Sequence, residues 1–570
     1  MNDVIRLWQE KWPEALALWS DYVKLSLPHF LLTKDMEGKE GFTTSFAAIR
    51  LTDHKVLLSL RKIKDLGLED YPLEIMGHEI GHHVYCPGDL SDHGKLIYLV
   101  QTAMPRFEHI AGLIVNVYTD LFINDHLKRY NRLRMEEVYQ KIGKQKDPFW
   151  NFYMRTYEIL WALPEETLTF SKVETTANSD AILVNRIIRN YPNDWVRGAY
   201  DFGNICYPYF MGKDSAETIK VLGVIHDTSD AGKDGEIPSG ITDVEIESIF
   251  DSGKDPSLGG NRTEDKSQPN QKPKQPSLTP AQYSSICQAL GIKVSQSEMA
   301  YKFYKEKALP HLVSFPQLLT PGAPEMVLEG SDEWDLGSPI EDINWVESVI
   351  KSPVVIPGYT TVENYFSEMP SYETDFNPID LDLFVDCSGS MPNPLVETSF
   401  LTLAGAIIAL SALRVGSAVR TTLWSGENEY KSTETFTRNE KDIMEILTGF
   451  IGGGTCFPLN LLKNEYSNRP PSARKSHILV ISDEGIDTMY DQPYSENPRS
   501  LVKSMLEKAG GGGSMVLNLY NPNLHGTIKT MQEDGWQIYP ISNWEQLIEF
   551  SKTFVKKTYE RNKILRQTNR

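Results

Sequence analysis

The sequence predicts a multidomain protein: a mainly α, α+β N-terminal domain, a break, and a C-terminal α/β domain on a doubly wound parallel sheet. Three observations predict it. The 570 residues amount to about four domains at roughly 150 residues each. A stretch rich in Gly, Pro, Ser, Asp, Lys and Gln over residues 227–279 interrupts the hydrophobic patterning. From Asn377 onward, short apolar runs alternate with helical patterns.

In chain order, residues 1–226 open on an amphipathic helical pattern, MNDVIRLWQEKWPEALALW. Charges run throughout it, and it lacks a basic start, an apolar core and a small-residue cleavage site, so it is not expected to be a signal peptide. Strand-like runs follow at Phe46–Arg50 and Lys55–Ile63, then long helices rich in Leu, Ile, Tyr and Trp. Residues 227–279 contain almost no aromatic side chain and bury too little to offset the entropy of ordering, which predicts a flexible linker. Residues 280–376 read as a mixed acidic connecting region. It opens with a helical piece, Ala281–Leu309, stopped by Pro310, and then carries Trp334, Trp345 and several prolines in no predictable fold. In residues 377–570 the strand-like runs are Ile379–Val385, Arg420–Trp424, His477–Ser482, Met515–Tyr520 and Trp536–Ile541. The run Gly510–Gly513 lacks the strand-then-helix order of a dinucleotide loop and reads as a flexible turn. No GxxxxGK[ST] occurs, so no P-loop ATPase is expected in the chain.

The net charge of −20 disfavours a protein that grips nucleic acid by charge. Residues 227–280 hold 11 acids and 6 bases, and residues 325–375 hold 12 acids and one base, so 16 of the 20 excess charges lie in the connectors. The last twenty residues carry seven bases and one acid and read as a solvated helix end. The longest apolar run, Phe400–Leu413, stops at Arg414 and is too short to span a bilayer. Five cysteines are scattered singly, with no CxxC pair; reduced thiols and a cytoplasmic location are the expectation.

Two constellations carry chemistry. Residues 78–82 read His-Glu-Ile-Gly-His in an apolar helical pattern. Residues four apart share a helix face, so His78 and His82 can turn two imidazoles toward one metal, with Glu79 placed to take a proton from a metal-activated water. Downstream, Asn116, Asp120 and Asn124 stripe one face of a second apolar helix, where polar groups need partners. Asp120 is the expected third ligand, with Asn116 or Asn124 supporting it; Glu108, His109 and His93 are the competitors.

The second constellation is Asp386-Cys387-Ser388-Gly389-Ser390 at the end of an apolar strand, with Gly452-Gly453-Gly454-Thr455 and Ser482-Asp483-Glu484-Gly485 further on. One carboxylate and two hydroxyls at the C-terminal edge of a strand occupy the place where α/β sheets hold ligands, and hard oxygen donors suit Mg²⁺.

The His-Glu-Ile-Gly-His-His segment followed by the N-x3-D-x3-N helix resembles the zincin-like metallopeptidase domain found fused to von Willebrand A domains in bacteria. The resemblance covers about residues 35–130. It implies Zn²⁺ held by His78, His82 and a downstream aspartate, here Asp120, with Glu79 activating water for peptide hydrolysis. It stops short of the longer metzincin motif, since Gly88 stands where a third His would be. The Asp386, Ser388, Ser390, Thr455 and Asp483 set resembles the metal-ion-dependent adhesion site of von Willebrand A domains, over about residues 377–560. That implies direct coordination of Mg²⁺ (or Mn²⁺) by Asp386, Ser388 and Ser390. Thr455 and Asp483 would contribute directly or through water, and an open position would take a carboxylate from a substrate or partner protein. Glu484 is a departure, because the family often has a single Asp-Gly there. Domains of this kind also resemble adaptors of MoxR-type AAA+ ATPases. The expected function is therefore a zinc metallopeptidase with an ion-dependent capture domain, or alternatively a non-catalytic metal-dependent adaptor of such an ATPase.

Overall fold

The computed structural model describes residues 2–42, 45–192, 194–211, 215–228, 232–233, 237, 278–313, 315, 317–321, 325–369, 374–467, 469–470, 473–491, 497–519, 525–543, 546–551 and 554. Most of the expected linker, and the basic end beyond residue 554, lie outside the described residues. Two compact units are present. The first is Met1–Pro310 with the short pieces Pro392–Ser399 and Thr448–Phe450; the second comprises His311–Met391, Phe400–Leu447 and Ile451–Arg570.

The first unit begins with α1 (Asn2–Ala17), β1 (His29–Leu31), α2 (Lys34–Lys39), β2 (Ala47–Arg50) and β3 (Lys55–Ser59). The strands form a small sheet in the order β1-β3-β2, with β1 parallel and β2 antiparallel to β3. The expected strand through Ile63 ends at Ser59, whose hydroxyl accepts from the Lys62 amide and so caps α3 (Leu60–Asp65). Long helices follow: α4 (Pro72–Val84), α5 (Leu90–Ala103), α6 (Ala111–Arg129), α7 (Met135–Ile142), α8 (Pro148–Leu160), α9 (Thr175–Asn190), α10 (Trp195–Phe210) and α11 (Ser215–Leu222). Pro72 starts α4 at its first turn, where a missing N–H costs nothing. Trp8 and Trp12 of α1 pack in one core with Ile75, Met76 and Ile80 of α4 and Leu58 of β3. The expected single helix after Thr279 is two, α12 (Pro280–Ala289) and α13 (Gln296–Ala308), because Gly291 turns the chain at φ 77° between them. Both belong to the first unit rather than to a separate connecting region.

The second unit holds two antiparallel ribbons, β4 (Gln317–Pro321) with β7 (Thr374–Pro378) and β5 (Glu325–Glu333) with β6 (Val362–Met369), and the short helix α14 (Trp345–Lys351). Of the 26 exposed large apolar side chains among the described residues, 14 lie between residues 325 and 369, so this segment presents its apolar groups instead of burying them.

The main sheet of the second unit comprises β8 (Asp380–Asp386), β9 (Val419–Trp424), β10 (Tyr430–Ser432), β11 (Ser476–Ser482), β12 (Gly510–Asn518) and β13 (Trp536–Ile541). Their order is β10-β9-β8-β11-β12-β13, parallel except for the edge strand β10. The chain leaves β8 toward β9 and β10 and returns to β11 on its other side, so the strand order switches between β8 and β11. The apolar run read from the sequence is the buried helix α15 (Phe400–Arg414). The glycine run is the start of β12 and not a free turn. A side chain at Gly511 would sit 2.5 Å from the Ser476 carbonyl, so only glycine lets the two backbones pass at this register shift. Among the described residues no helix is long and apolar enough to cross a membrane. None of the five cysteines forms a disulfide.

Candidate metal centres

In the first unit α4 and α6 cross with their polar positions facing each other. His82 and Asp120 are fully buried, and His78 is nearly so. The Nε2 of His78 stands 3.2 Å from that of His82, 3.5 Å from Asp120 Oδ1 and 2.9 Å from Asp227 Oδ2. His82 Nε2 stands 3.4 Å from Asp120 Oδ1 and 3.1 Å from Asp227 Oδ1. Four ligand atoms at bonds of about 2.0–2.1 Å around a tetrahedral zinc are about 3.3–3.4 Å apart, so the spacing fits such an ion.

The surrounding hydrogen bonds set the orientation. Asn124 Nδ2 donates to the hydroxyls of Tyr139 at 2.9 Å and Tyr157 at 2.8 Å, which leaves its Oδ1 to accept from His78 Nδ1 at 2.7 Å. The His78 proton is thereby held on Nδ1, and the Nε2 lone pair points into the cluster. Asn116 Nδ2 donates to both oxygens of Asp120, at 3.2 and 3.1 Å, and to the Ile225 carbonyl at 3.1 Å. Asn116 Oδ1 accepts from the amides of Asp227 and Thr228, each at 3.0 Å, and from the Thr228 hydroxyl at 2.8 Å. One carboxamide thus holds both the helical carboxylate and the segment that brings in Asp227.

Glu79 is buried, and its Oε2 has no hydrogen-bond partner. It lines, with Ser45, Phe46, Glu74, Tyr139 and Asp227, a cavity of about 40 Å³. That is room for two or three waters at ~15 Å³ of free space each, and not for a peptide. Burial, reinforced by Asp227 and Asp120 against the pull of His82, holds the Glu79 carboxyl well above the usual range. Burial and Asp227 likewise push Asp120 up to about 6. Burial works to lower His78 and His82, but the facing carboxylates override it and raise both. The facing carboxylates and imidazoles thus favour positive charge between them, which a divalent ion supplies in a metal site.

Of the competitors, Glu108 and His109 are exposed. His93 is buried with neither ring nitrogen hydrogen-bonded, and burial together with His82 pushes it down to about 3. It lies outside the four-residue cluster. The sequence reading missed Asp227. Its only signal was the short Ile225-His226-Asp227-Thr228 run before the low-complexity stretch, where composition had set the domain boundary at residue 226.

In the second unit Asp386 ends β8 and Asp483 follows β11, on the two sides of the strand-order switch. Asp386 Oδ1 accepts from the Ser388 amide at 2.9 Å, and its Oδ2 accepts from the Ser482 hydroxyl at 2.6 Å. The Ser388 and Ser390 hydroxyls are 3.2 Å apart, and Ser390 Oγ donates to Asp483 Oδ2 at 3.3 Å. The Gly389 amide bonds the Gly453 carbonyl at 3.0 Å, which draws the glycine loop alongside. Thr455 lies against the Asp483–Gly485 turn: a side chain on Gly485 would meet its methyl at 2.3 Å. Burial, with Asp483 adding to it, raises the Asp386 carboxyl against its hydrogen bonds from Ser482 and Ser388. The five expected residues thus meet on one sheet edge, with only oxygen donors.

No family model and no curated protein matches the chain. Among solved structures it is similar to a von Willebrand factor type A protein from Catenulispora acidiphila, with 12% identity and a TM-score of 0.23. The match covers 33% of this chain and 44% of that one, so it spans less than half the length of that structure.

Proposed function

We propose that this chain is a cytoplasmic two-site metalloprotein: a zinc-dependent peptide hydrolase whose second unit captures a protein carboxylate through Mg²⁺ or Mn²⁺. The observation that carries the reading is the set of His78, His82, Asp120 and Asp227 atoms at a spacing that fits zinc, beside Glu79 Oε2, which has no hydrogen-bond partner. His78, His82 and Asp120 would hold the ion; when bound it would supply a Lewis acid and lower the pKa of a water. Glu79 Oε2 would take the proton of the attacking water and pass it to the leaving amine. Asn124 fixes the His78 tautomer and Asn116 aims Asp120. In the second unit Asp386, Ser388 and Ser390 would bind the hard cation directly, with Thr455 and Asp483 completing its shell directly or through water.

One observation favours a second reading. Four protein ligands and a cavity sized for water describe a closed, structural centre. The chain would then be a non-catalytic, metal-dependent adaptor, with a MoxR-type AAA+ ATPase as its partner.

Elemental analysis of the purified chain separates the readings, together with unfolded-casein cleavage by wild type, Glu79→Gln and Asp227→Ala. The peptidase reading expects about one zinc per chain, retained in Glu79→Gln, and cleavage that depends on Glu79. Zinc without Glu79-dependent cleavage in any background leaves the adaptor. For the second unit, partner capture that survives Asp386→Ala would remove the ion-bridge reading.

A further inference from the structure

We infer that Asp227 is a removable fourth ligand: it occupies the coordination position that a hydrolytic water and a substrate carbonyl would need, so the described state of the first unit is latent. This inference rests on the zinc reading above.

Three observations converge on it. The first is the origin of the ligands. His78, His82 and Asp120 lie on α4 and α6, two long buried helices, whereas Asp227 lies in neither helix nor strand, two residues beyond the short turn Gly223–Ile225. A catalytic zinc keeps three protein ligands and one exchangeable position; here the three are rigid and the fourth is carried by a loop. The second is the posture of the Asp227 carboxylate. Its Oδ2 faces His78 at 2.9 Å and its Oδ1 faces His82 at 3.1 Å, both closer than Asp120 stands to either ring. A carboxylate straddling the centre with both oxygens takes the place of a bound water or of a product's terminal carboxylate. The third is Glu79. A buried carboxylate oxygen without a donor, beside two further carboxylates, is an unexplained liability in a purely structural site. It is explained if a water is to enter beside it when Asp227 leaves.

Around Asp227 the restraint is the Asn116 carboxamide on the ligand helix, which donates to the Ile225 carbonyl and accepts from Asp227 and Thr228. Further on, Gly232 and Lys233 are anchored separately, to Leu290, Thr52 and Glu40. Displacement of Asp227 exchanges the four bonds between Asn116 and residues 225–228 for solvent and leaves the Asn116 to Asp120 bonds in place. The three-ligand site therefore survives the departure of the fourth. The ligand class admitted is one with a carbonyl or carboxylate oxygen, matching the group that leaves.

The test uses the full chain loaded with Co²⁺, whose visible spectrum reports coordination, and acetohydroxamate as a small chelating probe. Wild type should bind about one cobalt, with a spectrum that the probe does not change. Asp227→Ala should still bind about one cobalt at saturation, more weakly, and its spectrum should shift on adding the probe. Asp227→Asn, which keeps the shape of the loop, serves as a second variant should Asp227→Ala fold poorly, and should also respond to the probe. A wild-type spectrum that already responds overturns the inference and leaves the zinc reading intact. So does loss of cobalt from both variants while wild type retains it. A wild-type chain that takes up no cobalt overturns the zinc reading and, with it, the latch.

Discussion

Gly81→Ala tests how the first centre is assembled. Gly81 lies in α4, one residue before His82. A methyl group there would stand 2.6 Å from Ile123 Cγ2 on α6, and 2.6 and 3.2 Å from the Trp19 ring. Carbon atoms pack at about 3.5–4.0 Å, so roughly 1 Å must open between α4 and its neighbours. Trp19 has little freedom to yield: its Nε1 donates to the Gly77 carbonyl at 2.7 Å and its ring stacks on His126 at 4.6 Å. Overpacking of this kind costs about 1–3 kcal/mol, against about 1 kcal/mol gained from replacing a helical glycine by alanine. Gly38, in α2, provides the control, because a methyl there meets nothing within 4 Å. Gly38→Ala should stabilise by about 0.5–1 kcal/mol, so the gap between the two variants isolates the packing cost. Ile123 is three residues from Asp120, so opening α4 from α6 also lengthens the 3.4 Å between His82 and Asp120 past a tetrahedral edge. Urea unfolding without metal should show Gly81→Ala less stable than Gly38→Ala by about 1–3 kcal/mol. Competition with a chelating dye should show zinc affinity weakened about tenfold or more, or about 1.4 kcal/mol. If Gly81→Ala matches Gly38→Ala in stability and binds zinc like wild type, the close approach of the helices does not build the site.

Three further outcomes are expected. His477 is buried, with Nδ1 2.8 Å from the Gly511 carbonyl and Nε2 3.1 Å from Ser514 Oγ, and burial pushes its pKa from 6.5 down to about 4. The unfolded chain therefore takes up this proton first as pH falls, and stability is lost between 6.5 and about 4. The loss should be about 2 kcal/mol from about pH 7 to about pH 5, and urea midpoints of His477→Gln should fall less steeply over that range. In the second unit Arg420 makes a buried bidentate pair with Asp382, at 2.8 and 2.7 Å. Arg420→Met leaves that carboxylate buried with the Tyr466 hydroxyl as its remaining side-chain donor and should cost about 3–5 kcal/mol, whereas the double variant with Asp382→Leu should recover much of it; equal costs would refute the pairing argument. Finally, 1,10-phenanthroline should strip the first centre and leave ion-dependent capture by the second intact, as measured by zinc content and pull-down; loss of both together would mean that the two sites do not differ in metal preference.

Much of both centres could be read from local spacing. His78 and His82, and the Asn116, Asp120 and Asn124 stripe, follow from the four-residue period of a helix, which needs no knowledge of the fold. Asp386 and Asp483 follow from apolar strands that end in polar loops. Asp227 could not be read this way: it reaches the site across 107 residues of chain from Asp120, on a loop with no period, next to a composition typical of linkers. The ribbons between residues 317 and 378 were hidden for a related reason. In β5 and β6 the apolar side chains of Met326, Val327, Leu328, Tyr365 and Phe366 are exposed rather than turned toward a core, so no alternation marks those strands, and the acidic composition suggested a solvated connector. The glycine run was misjudged because glycine signals turns locally, whereas here the constraint is the distance to the neighbouring strand.

The two centres differ in donor set and in exposure. The first combines two imidazoles with carboxylates, a donor set that suits zinc, beside a cavity of about 40 Å³. The second offers oxygen donors alone on a sheet edge, where Asp386 and Ser388 are buried and Ser390, Gly453 and Gly454 are exposed. Under the proposed reading, oxygen donors that reach the surface would serve reversible capture, and the buried mixed set would serve chemistry withheld until a ligand is displaced. Sixteen of the 20 excess negative charges lie in residues 227–280 and 325–375, leaving the remainder of the chain close to balanced. The acidity of the chain therefore does not select the substrate. Selection would rest on whichever carboxylate the second centre binds, and release of the first on whatever draws Asp227 away from His78 and His82.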